Sequence, residues 1–193
     1  DPRRALAVYR LASDLHDFGR SAWAESELAY REALATWRAA SCGDDPAVVT
    51  AQSNASLLLH WLGRPREALP LLEEALASAR RLDASDSRGT ATMWNNLGTL
   101  KASLGDHAEA ERVGREALAM RRRLFSGDHL DVAQSSNNVA DALLVAGRPS
   151  EALPFAREAA EMYARLEPEG SRSSATAFDN FGDALDGTGD GLG

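Results

Sequence analysis

The chain repeats itself every 42 residues, and no other feature restricts its fold as much. Asn95-Asn96 precedes Asn137-Asn138 by one such interval and Asp179-Asn180 by two, and Ser53-Asn54 lies one interval upstream. A second register agrees. Glu32-Ala33-Leu34, Glu74-Ala75-Leu76, Glu116-Ala117-Leu118 and Glu158-Ala159-Ala160 keep the same spacing, as do Gly63, Gly105, Gly147 and Gly189. Periods of this size belong to arrays of stacked supersecondary units, each burying its apolar face against its neighbours.

Within the period the apolar spacing is helical. Leu6, Leu11, Leu15 and Phe18 predict a first helix that stops at Gly19-Arg20, and Trp23, Leu28, Ala33, Leu34 and Trp37 a second that ends near residue 40. Gly19 to Gly63 is 44 residues, so two extra residues fall near Ala22-Trp23, in the turn between those helices. Asp45 is placed as an N-cap and Pro46 as the first residue of a helix. Val48 to Leu62 and Arg66 to Leu82 form the second pair, Thr90 to Leu104 and His107 to Leu124 the third, Val132 to Ala146 and Ser150 to Leu166 the fourth. Proline is tolerated only in a helix's first turn. Pro70 and Pro154 therefore start their helices at about Arg66 and Ser150, or else kink them. Ser174 to Leu185 reads as a last helix, after which residues 187–193 are too glycine-rich to continue.

The expected fold is all-α: a right-handed α-solenoid of antiparallel helix pairs with about nine helices. It forms a single domain over residues 1–193, with units at approximately 1–44, 45–86, 87–128 and 129–170 and a half unit at 171–193. We call the two helices of each pair A and B. Ser56, Gly98, Ala140 and Gly182 on the A helices are expected to face Ala68, Ala110 and Ala152 on the B helices, where bulk would cost about 1 to 3 kcal/mol through overpacking.

Composition narrows the function. A net charge of -8 and a pI near 5.0 disfavour nucleic acid, which asks for a basic face. The longest apolar run, Leu57 to Leu62, is interrupted by His60 and is far too short for a membrane span. Cys42 has no partner for a disulfide or companion metal ligand, which fits a reducing compartment and a cytoplasmic location. The start at Asp1-Pro2, without methionine, suggests a piece of a longer chain. Arg80-Arg81 and Arg121-Arg122-Arg123 read as solvated helix ends that complement the dipole. Asp128, His129 and Asp131 lack a fourth ligand for a metal. Trp23, Trp37 and Trp94 read as core filler. The chain shows no H-E-x-x-H, nucleophile elbow, Walker loop or dinucleotide fingerprint, so neither catalysis, metal nor cofactor is expected.

The succession Leu97-Gly98, turn Gly105, then Ala110 and Ala117 resembles the tetratricopeptide repeat. The 42-residue unit resembles the kinesin-light-chain type of that repeat, with Asn-Asn-Leu-Gly at 95–98, Glu-Ala-Leu at 116–118 and Gly-Asp-His-Leu-Asp-Val-Ala at 127–133. Lys101, Gly114 and the linker at 85–89, which lacks Gly-Asp-His, depart from the pattern. The resemblance implies a noncatalytic protein-interaction scaffold whose A helices line a concave groove for a partner peptide. Carried over residue by residue, Asn54, Asn95, Asn96, Asn137, Asn138 and Asn180 would contact the peptide main chain.

A physical argument stands beside that resemblance. Asparagine costs a helix roughly a few tenths of a kcal/mol relative to alanine, yet it recurs at one point of four A helices. Its amide offers a donor and an acceptor, which match a peptide bond. In the alternative, these amides brace neighbouring A helices or bond their own backbone. One turn further come Thr99 and Asp141, and beyond that level His60 and Trp61. The groove so read runs from Arg10, His16 and Trp61 to Asp141, Asp179, Asp183 and Asp186. It suits a ligand with its basic or N-terminal end toward the last units and an apolar anchor near Trp61. A second reading makes the chain a regulatory segment of a larger protein that packs on its own effector domain or self-associates; otherwise a monomer is expected.

Overall fold

A computed structural model describes residues 1–40, 44–83 and 85–189. Cys42 and the tail at 190–193 lie outside the described residues. Among those described there are nine α-helices and no strand: α1 (Pro2–Phe18), α2 (Trp23–Ala39), α3 (Pro46–Trp61), α4 (Pro65–Leu82), α5 (Arg88–Ser103), α6 (His107–Leu124), α7 (Leu130–Val145), α8 (Pro149–Leu166) and α9 (Arg172–Thr188). They form two compact units, Asp1–Ser85 with α1 to α4 and Asp86–Gly193 with α5 to α9. In each unit every helix packs on the next in sequence, as an all-α solenoid requires.

The turns explain why the period holds. Gly63, Gly105 and Gly147 adopt positive φ of 75°, 83° and 71°, a region open to glycine without steric cost. At the first of these turns the Arg64 N–H donates to the Leu59 carbonyl and the Gly63 N–H to the His60 carbonyl, both at 2.9 Å. The same pair of bonds returns one and two periods later, closing α5 and α7. The turn after α1, where the interval stretches to 44, contains a short 3-10 segment (Arg20–Ala22) that absorbs the two extra residues.

Helix starts follow their caps. Asp45 accepts from the Ala47 N–H at 2.8 Å, with Pro46 at the first helical position. Helices α4 and α8 begin at Pro65 and Pro149, one residue before the expected starts, with Pro70 and Pro154 inside them. Each ring deprives one carbonyl, that of Arg66 or Ser150, of its helical partner, at residues that are exposed to solvent. Helix α9 runs past Leu185 to Thr188. A Ser171–Ser174 capping box starts it and left-handed Gly189 ends it.

Alanine dominates the seams. Ala5, Ala12, Ala33 and Ala51 are buried in the first unit, and Ala133, Ala140, Ala152 and Ala159 in the second. A Cβ on Gly98 would lie 3.4 Å from the Ala110 carbonyl oxygen, so α5 and α6 are in backbone contact there. Gly182 differs from the expectation: a Cβ on it would meet nothing within 4 Å, since no B helix follows α9 among the described residues.

Ion pairs recur with the period. Arg81 pairs with Asp44, Arg123 with Asp86 and Arg165 with Asp128, each 37 residues apart. Asp86 therefore takes the aspartate's place in the linker that lacks Gly-Asp-His. In each case the arginine's hydrogen bond holds the carboxyl below its usual range. Arg81 and Arg123 are thus engaged rather than merely solvated. A second cluster appears once in each unit. Arg64 links Glu27 and Glu67, while Arg31 also pairs with Glu27; Arg148, Glu111, Glu151 and Arg115 repeat the arrangement. At the intervening turn Asp106 instead accepts from the Glu109 N–H as the cap of α6. These pairs are largely solvent-exposed, so each contributes little alone.

Candidate functional site

The second unit holds a recess of about 180 Å³ between α5, α6 and α7. Its floor owes its depth to missing side chains, for Gly98, Ala102, Ala110, Gly114 and Ala142 line it. Gly114 sits so close to α7 that an added Cβ would lie 3.3 Å from Val139 Cγ2. The rim is polar. Asn95, Thr99 and Ser103 stand at successive four-residue steps along α5, and Asn138 and Asp141 oppose them from α7. The recess thus gathers Asn95, Thr99, Asn138 and Asp141, singled out from the sequence, together with Ser103, one turn beyond Thr99 on the same face.

The asparagines divide into two groups. Asn95, Asn137 and Asn180 are buried in the seams between successive A helices. Asn138 Nδ2 donates to Asn95 Oδ1 at 3.1 Å, and Asn180 Nδ2 to Asn137 Oδ1 at 3.0 Å. Asn95 Oδ1 also accepts from Ser135 Oγ at 3.1 Å and Arg121 Nη1 at 3.3 Å. Asn54, Asn96 and Asn138 are half-buried. In the first unit Asn54 and Ser13 adjoin the buried Tyr30 hydroxyl, whose pKa burial pushes up to about 12.

Arg121 was expected at a solvated helix end and is instead 2% exposed. Its Nη1 donates to the Asp131 carbonyl at 2.6 Å and to Ser135 Oγ at 2.7 Å, as well as to Asn95. The side chain thereby ties α6 to both flanking A helices. Burial lowers its pKa, with Asp131 opposing the shift.

Asp141 is open to solvent by area, yet the walls of the recess desolvate its carboxyl and raise its pKa, with nearby His107 acting the other way. Thr99 and Ser103 spend their hydroxyl hydrogens inside α5: Thr99 Oγ1 donates to the Asn95 carbonyl at 3.2 Å and Ser103 Oγ to the Thr99 carbonyl at 2.9 Å.

In the first unit Trp61 is 47% exposed. It stacks on Trp23 at 5.5 Å and makes a T-shaped contact with His16 at 5.0 Å, while the Arg20 guanidinium lies over Trp23. Trp23 therefore belongs to a surface aromatic group, whereas Trp37 and Trp94 are buried as expected. His60 is half-buried; burial lowers its pKa and leaves its Nδ1 without a partner.

The residues weighed as metal ligands have other roles. Asp128 binds Arg165, His129 Nδ1 accepts from the Asp131 N–H to cap α7, and Asp131 pairs with Arg88. Among the described residues no group of three or more such side chains is placed to hold a metal, and no helix is long and apolar enough to cross a membrane.

Sequence reasoning missed the buried position of Arg121 and the glycine floor of the recess. Register carried the signal for Arg121. It stands 42 residues after Ala79, on the apolar face of α4, and 42 before buried Tyr163.

Comparison with known proteins agrees with this architecture. Family profiles described as tetratricopeptide repeat match residues 48–82 and 89–165, together more than half of the chain. A search of characterised protein sequences yields no match. Among solved structures, the chain is similar to a Podosopora anserina protein of nearly identical TPR-like repeats assigned to kinesin light chain. The TM-score is 0.80 at 17% identity, over 97% of this chain and 88% of that one. BtubC (BKLC) from P. vanneervenii gives 0.77 at 26% identity, over 89% and 68%. A Rap protein complexed with Competence and Sporulation Factor gives 0.68 at 18% identity, over 96% and 56%. With its 42-residue helix pairs, glycine turns and alanine seams, the chain belongs to the tetratricopeptide-repeat family, and its repeats are similar to those of kinesin light chain.

Proposed function

We propose that this chain is a noncatalytic protein-interaction scaffold that receives an extended segment of a partner along its A helices. One observation carries the reading: Asn138, Thr99 and Asp141 converge on an open recess with bonding capacity left over from their contacts within the fold. Asn138 keeps amide capacity beyond its bond to Asn95, as a group that reads a peptide main chain must. Asn54 and Asn96 are the further candidates for main-chain contact. In the first unit His60 and Trp61 mark the candidate apolar anchor, since an exposed stacked indole supplies large contact area at low entropic cost. Fold-level likeness adds support: a Rap protein of similar fold was crystallised with Competence and Sporulation Factor.

A peptide array compared between the native chain and Thr99→Arg, which fills the recess with a long side chain on an already half-exposed site, tests the proposal. Loss of most bound spots with unchanged circular dichroism is expected; equal binding by the two proteins rules the recess out. The second reading, in which the repeats pack on an effector domain or another copy, is favoured by Leu11 and Phe18, 54% and 80% exposed on α1. Sedimentation over a range of concentrations separates the two, since self-association shifts the distribution and a peptide scaffold stays monomeric.

A further inference from the structure

We infer that the recess between α5, α6 and α7 takes the cationic head of a lysine or arginine side chain borne by the partner segment, with Asp141 as its counter-ion. The inference rests on the scaffold reading and adds the chemistry of one subsite to it.

The hydrogen-bond inventory of the rim carries the argument. The Thr99 and Ser103 hydroxyls point their hydrogens at backbone carbonyls one turn back, so they offer only oxygen lone pairs to an occupant. The Asp141 carboxylate accepts and never donates while ionised. Asn138 has given one amide hydrogen to Asn95 and retains its oxygen and a second N–H, the one donor that these four side chains leave beside their acceptors. The rim is therefore rich in acceptors and carries one fixed negative charge, which is the complement of an ammonium or guanidinium.

Other occupants fit poorly. An apolar side chain would strip water from Asp141, Thr99, Ser103 and Asn138 without replacing its bonds, and a buried polar group left unpaired costs more than a bond gains. A carboxylate or phosphate would meet Asp141 at close range. The floor of Gly98, Ala102, Ala110 and Gly114 leaves room for the methylene stem of one long side chain, which packs well on small apolar residues while its charged end stays at the rim. Desolvation of the Asp141 carboxyl agrees, for a carboxylate short of water has most to gain from a counter-ion. The chain's net charge of -8 favours encounter with a basic segment.

The test is a titration of the whole chain followed by NMR shifts of the Asn138 side-chain amide and the Thr99 and Ser103 backbone amides, which registers even weak binding. The probes are alanine–serine peptides that differ only in a central lysine, norleucine or glutamate, with N-acetyl-lysine methylamide as a small-molecule arm. Expected is saturable binding of the lysine peptide, about tenfold weaker binding of the other two, and a loss of about tenfold for the lysine peptide in Asp141→Asn. Asp141→Lys should transfer preference to the glutamate peptide, and Glu169→Gln, which removes an exposed acid of the loop between α8 and α9, outside the groove, should change nothing. Equal binding of the three peptides, or of the lysine peptide by native protein and Asp141→Asn, overturns the cation subsite and leaves the scaffold reading standing. No shift with any peptide overturns both. Binding of N-acetyl-lysine methylamide as tight as that of the lysine peptide overturns a segment-borne occupant.

Discussion

Asn138 reaches back from α7 and donates through Nδ2 to Oδ1 of Asn95 on α5, and one period later Asn180 does the same to Asn137. The bonded partners are 43 residues apart, one more than the period, because the two asparagines of each pair have different roles. Neighbouring residues on a helix point about 100° apart, so they cannot share one direction. The first asparagine accepts within the seam to the next A helix. The second donates toward the preceding one.

The adjacent residues Asn95 and Asn96 should therefore differ sharply on truncation. Asn95→Ala removes the acceptor shared by Asn138, Ser135 and Arg121 in a buried setting. Stranding such donors costs about 2 to 3 kcal/mol. Asn96→Ala, at a half-buried site, should cost under about 1 kcal/mol. Urea unfolding of the two variants measures both. Similar midpoints would mean that the seam is held by packing rather than by this amide.

Arg121, Arg122 and Arg123 make the same comparison with identical side chains. Arg121→Ala leaves a cavity and deprives the Asp131 carbonyl, Ser135 and Asn95 of their donor, with an expected cost of about 2 to 4 kcal/mol. Arg122 makes an exposed pair with Glu158, so Arg122→Ala should cost little, and raising salt should erase the difference from native. Thermal unfolding at low and high salt checks both statements.

The contrast shows what could be read from the sequence. A dipole argument assigned all three arginines to the solvent because it considers only distance from the helix end. Register gives Arg121 the position that Trp37 and Tyr163 hold in their own helices, both buried, and register prevails because that position faces inward in each of these helix pairs. Helices, glycine turns and small-residue seams were legible for the same reason: each recurs with the period. Pro70 and Pro154 were legible within their helices, whose expected starts lie one residue from the observed ones, because the turn glycine and the proline after it recur with the period. The recess was hidden because it consists of absent atoms at Gly98 and Gly114, and the asparagine pattern revealed recurrence without revealing which way each amide turns.

Two glycines of α9 should respond to alanine in opposite directions. A Cβ on Gly187 would lie 2.5 Å from Pro149 Cβ and 2.8 Å from its Cγ, and the ring cannot swing aside. Gly187→Ala should therefore push α9 off the start of α8, at about 1 to 3 kcal/mol. Around Gly182 there is open space, so Gly182→Ala gains helix propensity and should stabilise by roughly 0.5 to 1 kcal/mol. Hydrogen exchange of α9 amides reads both: faster in the first variant, slower in the second.

Asp141 makes the last prediction, because its sign is opposite to that of the clamp aspartates. Asp44, Asp86 and Asp128 have depressed pKa values in the folded chain, so their contribution is present above the unfolded value of about 3.9 and is lost as pH falls through the folded one. Asp141 has a raised value, so the folded state binds its proton more readily than the unfolded chain does. Its favourable contribution exists below the unfolded value and disappears as pH rises through the folded one, so at neutral pH the ionised carboxylate destabilises the fold. Asp141→Asn, of the same shape and without charge, should then raise stability near pH 7 by less than about 1 kcal/mol, since water still reaches the rim. The gain should vanish near pH 3. Unfolding midpoints of native and variant chains at those two pH values decide the matter, and a variant less stable than native at neutral pH contradicts the desolvation on which the sign depends. A carboxylate that costs the fold stability at neutral pH would agree with the proposed cation subsite, since binding sites commonly carry such a cost.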